Sequence, residues 1–140
     1  LPWYRWYAKI PEQEMEDNIR RNTGKDIGEL KSVEVTKRGA GDVALVLTAV
    51  GSKCTVTVET ENKIRTALAG DYDIVKQDGS TRNCGKLLPS AFFTIKKEKG
   101  SYCIEGGGFG HGIGMSQTGA NEMAKQGKNY REILERVSVE

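Results

Sequence analysis

Three apolar runs follow one another between residues 32 and 59, separated only by turn residues. Valine alternates with polar residues in SVEVTK, from Ser32, and again in CTVTVET, from Cys54. Residues 43–50, VALVLTAV, lie between these two runs and are more continuously apolar. A period of two is typical of a strand with one buried face, and RGAGD and Gly51-Ser52 are turn sequences. These runs therefore predict strands that pair as antiparallel hairpins.

Helices are predicted on both sides of these strands. Residues 11–21 begin with Pro11 and have acidic residues in the first turn and arginines in the last, as a helix dipole favours. Thr60 is suited to cap a helix over residues 61–68. The runs AFFTIKK and SYCIE predict a further hairpin, and two consecutive helices are predicted over residues 116–126 and 130–136. The expected fold class is α+β: a mainly antiparallel twisted sheet with three to four short helices, ending in two consecutive helices after a Gly-rich loop.

Composition limits the classes of protein to which the chain can belong. Its 140 residues are suited to one domain, and a net charge of +2 argues against a nucleic-acid binder. The apolar run at 43–50 is too short to span a bilayer. The chain has three cysteines, which could form one disulfide or remain reduced thiols, and the sequence does not distinguish these two states. The first seven residues carry four aromatic side chains, and we interpret Leu1 as the start of a fragment whose preceding segment is missing.

The most unusual segment is rich in glycine. Six of the nine residues at 106–114 are glycine, and the only histidine of the chain, His111, lies among them. The dinucleotide pattern G-x-G-x-x-G fails in every register, and neither a Walker A loop nor a G-x-S-x-G elbow is present. Phe109, Ile113 and Met115 interrupt the glycines, which argues against a flexible linker. The segment is therefore predicted to be an ordered loop that packs against a second layer or lies beside a ligand.

Two interpretations of His111 follow from the residues alone. It is either a packed structural histidine or a hydrogen-bond donor in a cleft. A zinc site formed by His111 with Cys54, Cys84 and Cys103 would have suitable ligand types. The spacing of these residues is irregular, however, and small buried cysteines are the commoner alternative.

Residues 106–134, GGGFGHGIGMSQTGANEMAKQGKNYREIL, resemble the C-terminal signature of the stage II sporulation protein D family, which includes related amidase enhancers. The segments WYRWYAKIPEQEM, KIRTALAG and LLPSAFFTI resemble earlier parts of that family more weakly. The resemblance is strong from Ser90 onward. It implies that residues 1–140 are a single domain, or the C-terminal part of one sporulation-protein-D-like domain whose N-terminal part is missing.

The resemblance implies a lytic transglycosylase that cleaves peptidoglycan glycan strands during sporulation and engulfment. Such a protein is expected to be extracytoplasmic and anchored to the membrane through an N-terminal segment absent here. Its expected partners are glycan strands, a cell-wall amidase and a membrane scaffold protein, with no cofactor and no nucleic acid. The alternative is a non-catalytic glycan-binding or amidase-enhancing module.

The chemistry needs one protonated carboxylic acid, which donates a proton to the glycosidic oxygen. In the family this glutamate is followed by methionine and proline, but Glu14-Met15 is not followed by proline. The catalytic residue is therefore unknown, and this chain is expected to be inactive alone while supplying the C-terminal part of the substrate cleft.

Six residues are predicted to bind substrate. His111 would donate to the sugar, Ser116 would bond a sugar or cap the following helix, and Gln117 can both donate and accept hydrogen bonds. Arg65 would reach a substrate carboxylate or an internal partner, the simplest alternative being an exposed ion pair. The predicted substrate-binding residues are His111, Ser116, Gln117, Gly110, Gly112 and Arg65.

Overall fold

The structure, a computed structural model, describes residues 4–108 of the chain. This part contains eight strands and two α-helices, and a 3-10 turn at Ala40–Asp42 joins the second and third strands. In chain order, the elements are β1 (Trp6–Pro11), α1 (Glu12–Thr23), β2 (Leu30–Arg38), β3 (Ala44–Gly51), β4 (Thr55–Glu59), α2 (Glu61–Ala67), β5 (Asp73–Lys76), β6 (Thr81–Asn83), β7 (Phe93–Glu98) and β8 (Ser101–Gly106).

The strands form two antiparallel sheets. The large sheet has the order β6-β5-β1-β8-β7 and the small sheet the order β2-β3-β4. Strand β1 lies in the middle of the large sheet, where Tyr7 pairs with Val75 of β5 and Ile10 pairs with Tyr102 of β8. The aromatic residues near the start of the chain therefore belong to a central strand, and the large sheet is completed only by strands from late in the sequence.

The predicted fold class was wrong. The described residues are 45% strand and 22% helix, in two sheets, with two helices rather than three to four. Sequence reasoning missed β1, because its first residues lack a clear alternation of apolar and polar side chains. It also missed β6, whose three residues TRN are all exposed and polar. The two consecutive helices predicted after the Gly-rich loop lie outside residues 4–108.

Elements with strong local signals were predicted correctly. Helix α1 ends at Gly24, whose φ of 71° is left-handed and whose N–H donates to Arg20 O at 2.9 Å, a common way to end a helix. Helix α2 begins where Thr60 accepts a hydrogen bond from the N–H of Lys63 at 3.4 Å. The hairpins β2–β3, β3–β4 and β7–β8 are also present, as their apolar runs and intervening turn residues predicted.

One hydrophobic core joins the two sheets and the two helices. Residues Trp6, Ala8 and Ile10 form the buried face of β1, and Met15 and Ile19 form the buried stripe of α1. The largest fully buried side chains are Trp6, Tyr102, Ile10, Met15, Ile19, Ile27, Leu47, Ile64, Leu68, Ile74, Leu88 and Ile104. Neither helix in the described part of the chain has the length and apolar character needed to cross a membrane.

A buried carboxylate joins α1 to the small sheet. Glu16 accepts hydrogen bonds from the N–H of Leu30 at 2.9 Å, from Arg20 Nη2 at 2.8 Å and from Gln13 Nε2 at 3.0 Å. The Leu30 amide is the main reason that the pKa of Glu16 lies below its usual range, and the hydrogen bonds from Gln13 and Arg20 lower it further. Because donors meet both oxygens, Glu16 is a structural anion at neutral pH.

Candidate functional site at the root of the glycine-rich segment

Five of the six predicted site residues lie outside residues 4–108, namely His111, Ser116, Gln117, Gly110 and Gly112. Within the described part, the structure places Arg65 and the first glycines of the segment. We call residues 106–108, with the side chains that hold them, the glycine root. Strand β8, which lies between β1 and β7 in the large sheet, leads into this root.

The root begins with a close contact between Gly106 and Trp6. Gly106 pairs with Trp6 of β1 on one side and with Phe93 of β7 on the other. A Cβ atom on Gly106 would overlap the indole ring of Trp6 and lie 2.8 Å from Phe92 O. The Trp6 and Phe93 rings lie 6.5 Å apart at a tilt of 45°. Glycine is therefore required at position 106 by the approach of a buried ring rather than by an unusual backbone angle.

A buried serine fixes the next residue of the root. Ser90 is 1% exposed, and its hydroxyl donates to Gly107 O at 2.5 Å while accepting from Phe92 N at 3.3 Å. The Gly107 N–H donates to Phe92 O at 3.0 Å. At Gly108 the φ angle is 81°, a left-handed value that favours glycine. The direction in which the chain leaves the sheet is thus set by backbone and side-chain hydrogen bonds together.

Arg65 supports the segment that carries Ser90. It is 4% exposed, and its Nε donates to Leu88 O at 2.9 Å and its Nη2 to Pro89 O at 3.0 Å. In return the Leu88 N–H donates to Arg65 O at 3.1 Å. Burial lowers the pKa of Arg65, an effect that the charge of Glu61 opposes. The contacts found for Arg65 are internal ones, and its role toward substrate stays a prediction.

Beside Arg65 lies a cleft of about 260 Å³ with a positively charged wall. Arg82 and Lys86 line this cleft together with Arg65, and no Asp or Glu is among the lining residues. The side chains of Arg82 and Lys86 are exposed, whereas Arg65 is buried. An excess of cationic side chains in a concave site favours an anionic ligand group, such as a carboxylate.

Three carboxyl groups within residues 4–108 have a pKa that departs clearly from its usual value. Each of the three is shifted downward. The Leu30 amide lowers the pKa of Glu16, the Lys53 ammonium lowers that of Asp26, and the Ser80 hydroxyl lowers that of Asp78. A carboxylic acid that protonates a glycosidic oxygen near neutral pH needs a shift in the opposite direction.

The three cysteines are free thiols on different elements. Cys54 precedes β4, Cys84 follows β6 and Cys103 lies within β8. No group of three or more His, Cys, Asp or Glu side chains within residues 4–108 could hold a metal ion. The three thiols therefore do not come together as the cysteine ligands of the zinc site considered from the sequence. Burial raises the pKa values of Cys84 and Cys103, so both stay protonated at neutral pH.

Sequence reasoning missed both side chains that hold the root. A signal for Ser90 was present, since it is a polar residue within the apolar run LLPSAFF. The position of Trp6 had no local signal, because it depends on the pairing of β1 with β8.

Fold and root together define a small domain of two antiparallel sheets that leads into a glycine-rich segment. A family described as a domain of unknown function, DUF8618, matches residues 1–114, so the chain belongs to this family.

Curated relatives also match over shorter stretches. The amidase enhancer of Bacillus subtilis is 50% identical over 48 residues, which cover 34% of this chain and 7% of that protein. Stage II sporulation protein D of Bacillus amyloliquefaciens is 53% identical over 47 residues, or 34% of this chain and 14% of that protein. An uncharacterised protein of Brachyspira hyodysenteriae is 48% identical over 62 residues, which cover 44% of this chain and 17% of that protein.

These matches confirm the resemblance to the stage II sporulation protein D family. The chain spans only a small part of these relatives, between 7% and 17% of their lengths. No solved structure matches the chain.

Proposed function

We propose that this chain forms part of a cell-wall domain that binds peptidoglycan glycan strands. The observation that carries the proposal is the identity of about 50%, over 34% of this chain, with proteins named stage II sporulation protein D and amidase enhancer. We further propose that the protein containing this domain acts during sporulation and cleaves the strands as a lytic transglycosylase.

In this proposal the glycine-rich segment forms one wall of the glycan cleft. His111, Ser116 and Gln117 supply donors and acceptors for sugar hydroxyl groups, while Gly110 and Gly112 allow a bulky sugar to approach the backbone. Support for this arrangement comes from the root, where Trp6 and Ser90 hold the first residues of the segment in place. Arg65 and its cationic neighbours offer a site for a carboxylate of the substrate.

The proposed reaction needs one general acid. It protonates the glycosidic oxygen, which leaves as a hydroxyl group when its bond to C1 breaks. The 6-hydroxyl of the sugar that carries C1 closes onto C1 and gives its proton to the conjugate base of the same acid, which yields the anhydro end and restores the acid. No second nucleophilic carboxylate takes part, unlike in retaining or inverting hydrolysis. We assign the acid to a part of the protein outside residues 4–108, because Glu14-Met15 is not followed by the proline that follows the family's catalytic glutamate and methionine. The reaction needs no cofactor.

The proposed setting is extracytoplasmic, at a membrane to which an N-terminal segment anchors the protein. The proposed partners are a cell-wall amidase and a membrane scaffold protein. The amidase is suggested by the name of the relative called amidase enhancer.

Binding is tested by co-sedimentation with purified sacculi. His111→Ala and Gln117→Ala are expected to lower retention at least fivefold, since each removes a polar contact to sugar. Lys37→Ala, an exposed change on β2 in the small sheet, serves as the control and should leave retention unchanged. If the wild-type chain is not retained, or if both variants bind as well as wild type, the proposed glycan site is wrong.

Cleavage needs a separate assay on the longer protein that contains this chain. Incubated with glycan strands that lack stem peptides, it is expected to release anhydro-muramic ends. Release of ordinary reducing ends would mean hydrolysis instead.

The second candidate function is a non-catalytic glycan-binding or amidase-enhancing module. The match to an amidase enhancer favours it. A longer protein that releases no anhydro ends but accelerates a cell-wall amidase on sacculi would establish this alternative.

A further inference from the structure

A second concave surface lies along the open edge of the small sheet. It is a groove of about 500 Å³ between strand β4, helix α2 and the C-terminal end of α1. We call it the β4 groove. It shares no lining residue with the glycine root or with the cleft beside Arg65. Strand β4 is the last strand of its sheet, and within residues 4–108 no strand pairs with its outer edge.

The register of β4 against β3 determines which of its backbone groups face the groove. Just beyond the two ends of β4, the Gly51 N–H donates to Cys54 O at 3.0 Å and the Thr60 N–H donates to Leu45 O at 3.2 Å. In an antiparallel pair, alternate residues exchange both of their backbone hydrogen bonds with the neighbouring strand. The even-numbered residues of β4 therefore direct their N–H and C=O groups toward β3.

It follows that the odd-numbered residues, Thr55, Thr57 and Glu59, direct their N–H and C=O groups away from β3. All three residues are exposed, whereas Val56 and Val58 are 8% and 9% exposed and turn into the core. The edge thus carries three residues with the spacing and direction that a further antiparallel strand requires.

The opposite wall of the groove is held in place. Asn22 at the end of α1 donates to Ala67 O at 3.2 Å and to Ala69 O at 2.9 Å, which joins α1 to the end of α2. Lys63 and Thr66 of α2 line the groove on this side. A rigid helix opposite an open strand edge leaves a slot in which one extended chain can lie.

The charges and side-chain types of the groove indicate its ligand. Lys25 and Lys63 line it against one carboxylate, Glu59, and neither lysine forms an ion pair within the described part of the chain. No aromatic side chain is among the lining residues. A sugar ring would therefore find no stacking surface here, whereas an extended peptide with an acidic side chain would find both backbone partners and a cation.

We propose that the β4 groove binds an extended segment of a partner protein, which adds to the small sheet as a fourth strand and directs an acidic side chain toward Lys63. This site is separate from the glycan wall proposed above and uses none of its residues.

The experiment begins with a library of random nine-residue peptides displayed on phage and selected against the 140-residue chain. The enriched peptide is synthesised with a fluorescein label, and its affinity is measured by fluorescence anisotropy. Thr57→Pro removes an outward N–H while leaving the bonds to β3 in place, which an edge strand tolerates. It is expected to weaken binding at least tenfold, whereas Thr57→Val, which keeps the N–H, should stay within twofold of wild type.

Charge is tested by Lys63→Glu, which should weaken binding at least fivefold, against Lys37→Glu as the matched control. NMR of the unmodified chain gives a measurement that does not depend on any variant folding. The amides of Thr55, Thr57 and Glu59 should shift and gain protection from hydrogen exchange when the peptide binds.

Selection of no peptide, or of peptides that leave these three amides unchanged, would overturn the proposal. Equal binding to Thr57→Pro, with its circular dichroism spectrum unchanged, would also overturn it. So would a concentration-dependent dimer that Thr57→Pro abolishes, because the edge would then belong to a second copy of the chain. None of these results depends on sacculi, so the glycan proposal can fail or succeed independently.

Discussion

The indole ring of Trp6 packs directly against the backbone of Gly106, at the point where strand β8 leads into the glycine-rich segment. Trp6 is fully buried, and its ring occupies the space that a side chain at position 106 would need. The first residues of the domain thus hold the start of the segment that carries most of the predicted substrate-binding residues. The position of the glycine root therefore depends on the pairing of β1 with β8 in the large sheet.

Gly106→Ala is expected to destabilise the domain. The added methyl group would overlap the Trp6 ring and lie 2.8 Å from Phe92 O, and neither a packed ring nor a sheet backbone can move freely. We expect the free energy of unfolding to fall by about 1–3 kcal/mol, as is usual for overpacking. Urea denaturation followed by circular dichroism measures the change.

A double-mutant cycle checks the cause. Trp6→Leu removes the ring that the methyl group would meet, so Gly106→Ala should cost less in a Trp6→Leu background than in wild type. If the two changes are additive, the contact between Trp6 and Gly106 is not the reason for the glycine.

Ser90→Ala tests the second support of the root. It removes the hydroxyl that donates to Gly107 O and accepts from Phe92 N. We expect the free energy of unfolding to fall by about 1–3 kcal/mol, because buried polar groups are left without partners. Thermal unfolding is the measurement, and Thr36→Val, which removes an exposed hydroxyl, is the control. An effect of Ser90→Ala no larger than that of Thr36→Val would mean that the hydroxyl does not hold the root.

The sequence predicted the elements whose signals are local. Helix α1 has a proline before its first residue and a left-handed glycine at its end. The β2–β3 and β7–β8 hairpins have apolar runs separated by short turn sequences. Each of these patterns depends on residues close together in the chain, so it could be read without knowing the rest of the fold.

Features that depend on distant pairing could not be predicted. The place of β1 in the middle of the large sheet is set by β5 and β8, which come much later in the chain. For the same reason the division of the strands into two sheets was missed. At the candidate site, the density of glycine marked the segment, but the sequence did not reveal that Trp6 and Ser90 hold its first residues or that Arg65 donates to backbone carbonyls.

Arg65→Met separates a structural role from a role in binding. It removes two charge-assisted hydrogen bonds and leaves Leu88 O and Pro89 O without their donor, so we expect a loss of about 2–4 kcal/mol in the free energy of unfolding. Arg65→Lys keeps the charge but not the two-pronged geometry, and should recover only part of this stability.

The exposed Arg82, which lines the same cleft, is the matched control. Arg82→Met should leave stability within about 0.5 kcal/mol of wild type. If the cleft binds a carboxylate of the substrate, Arg82→Met should lower retention on sacculi; unchanged retention would limit the cleft to a structural role.

Glu16→Gln is expected to change how stability depends on pH. The pKa of Glu16 is lowered in the folded state, mainly by the Leu30 amide, so the unfolded chain takes up this proton first as pH falls. The stability that Glu16 contributes is therefore complete above its unfolded pKa of about 4.3 and is lost as pH falls through the folded pKa. At pH 7 Glu16→Gln should lower the free energy of unfolding by about 1–3 kcal/mol, because an amide cannot accept all of these hydrogen bonds.

Urea denaturation between pH 2 and pH 7 measures this effect. The curves of wild type and Glu16→Gln should converge toward pH 2, where the wild-type carboxyl group is protonated as well. Asp26→Asn is the control: its carboxylate is also lowered in pKa, by Lys53, but lies on the surface, where solvent screens the ion pair and leaves it little effect on stability. A constant difference between wild type and Glu16→Gln across the whole range would show that the loss comes from packing and not from the charge of Glu16.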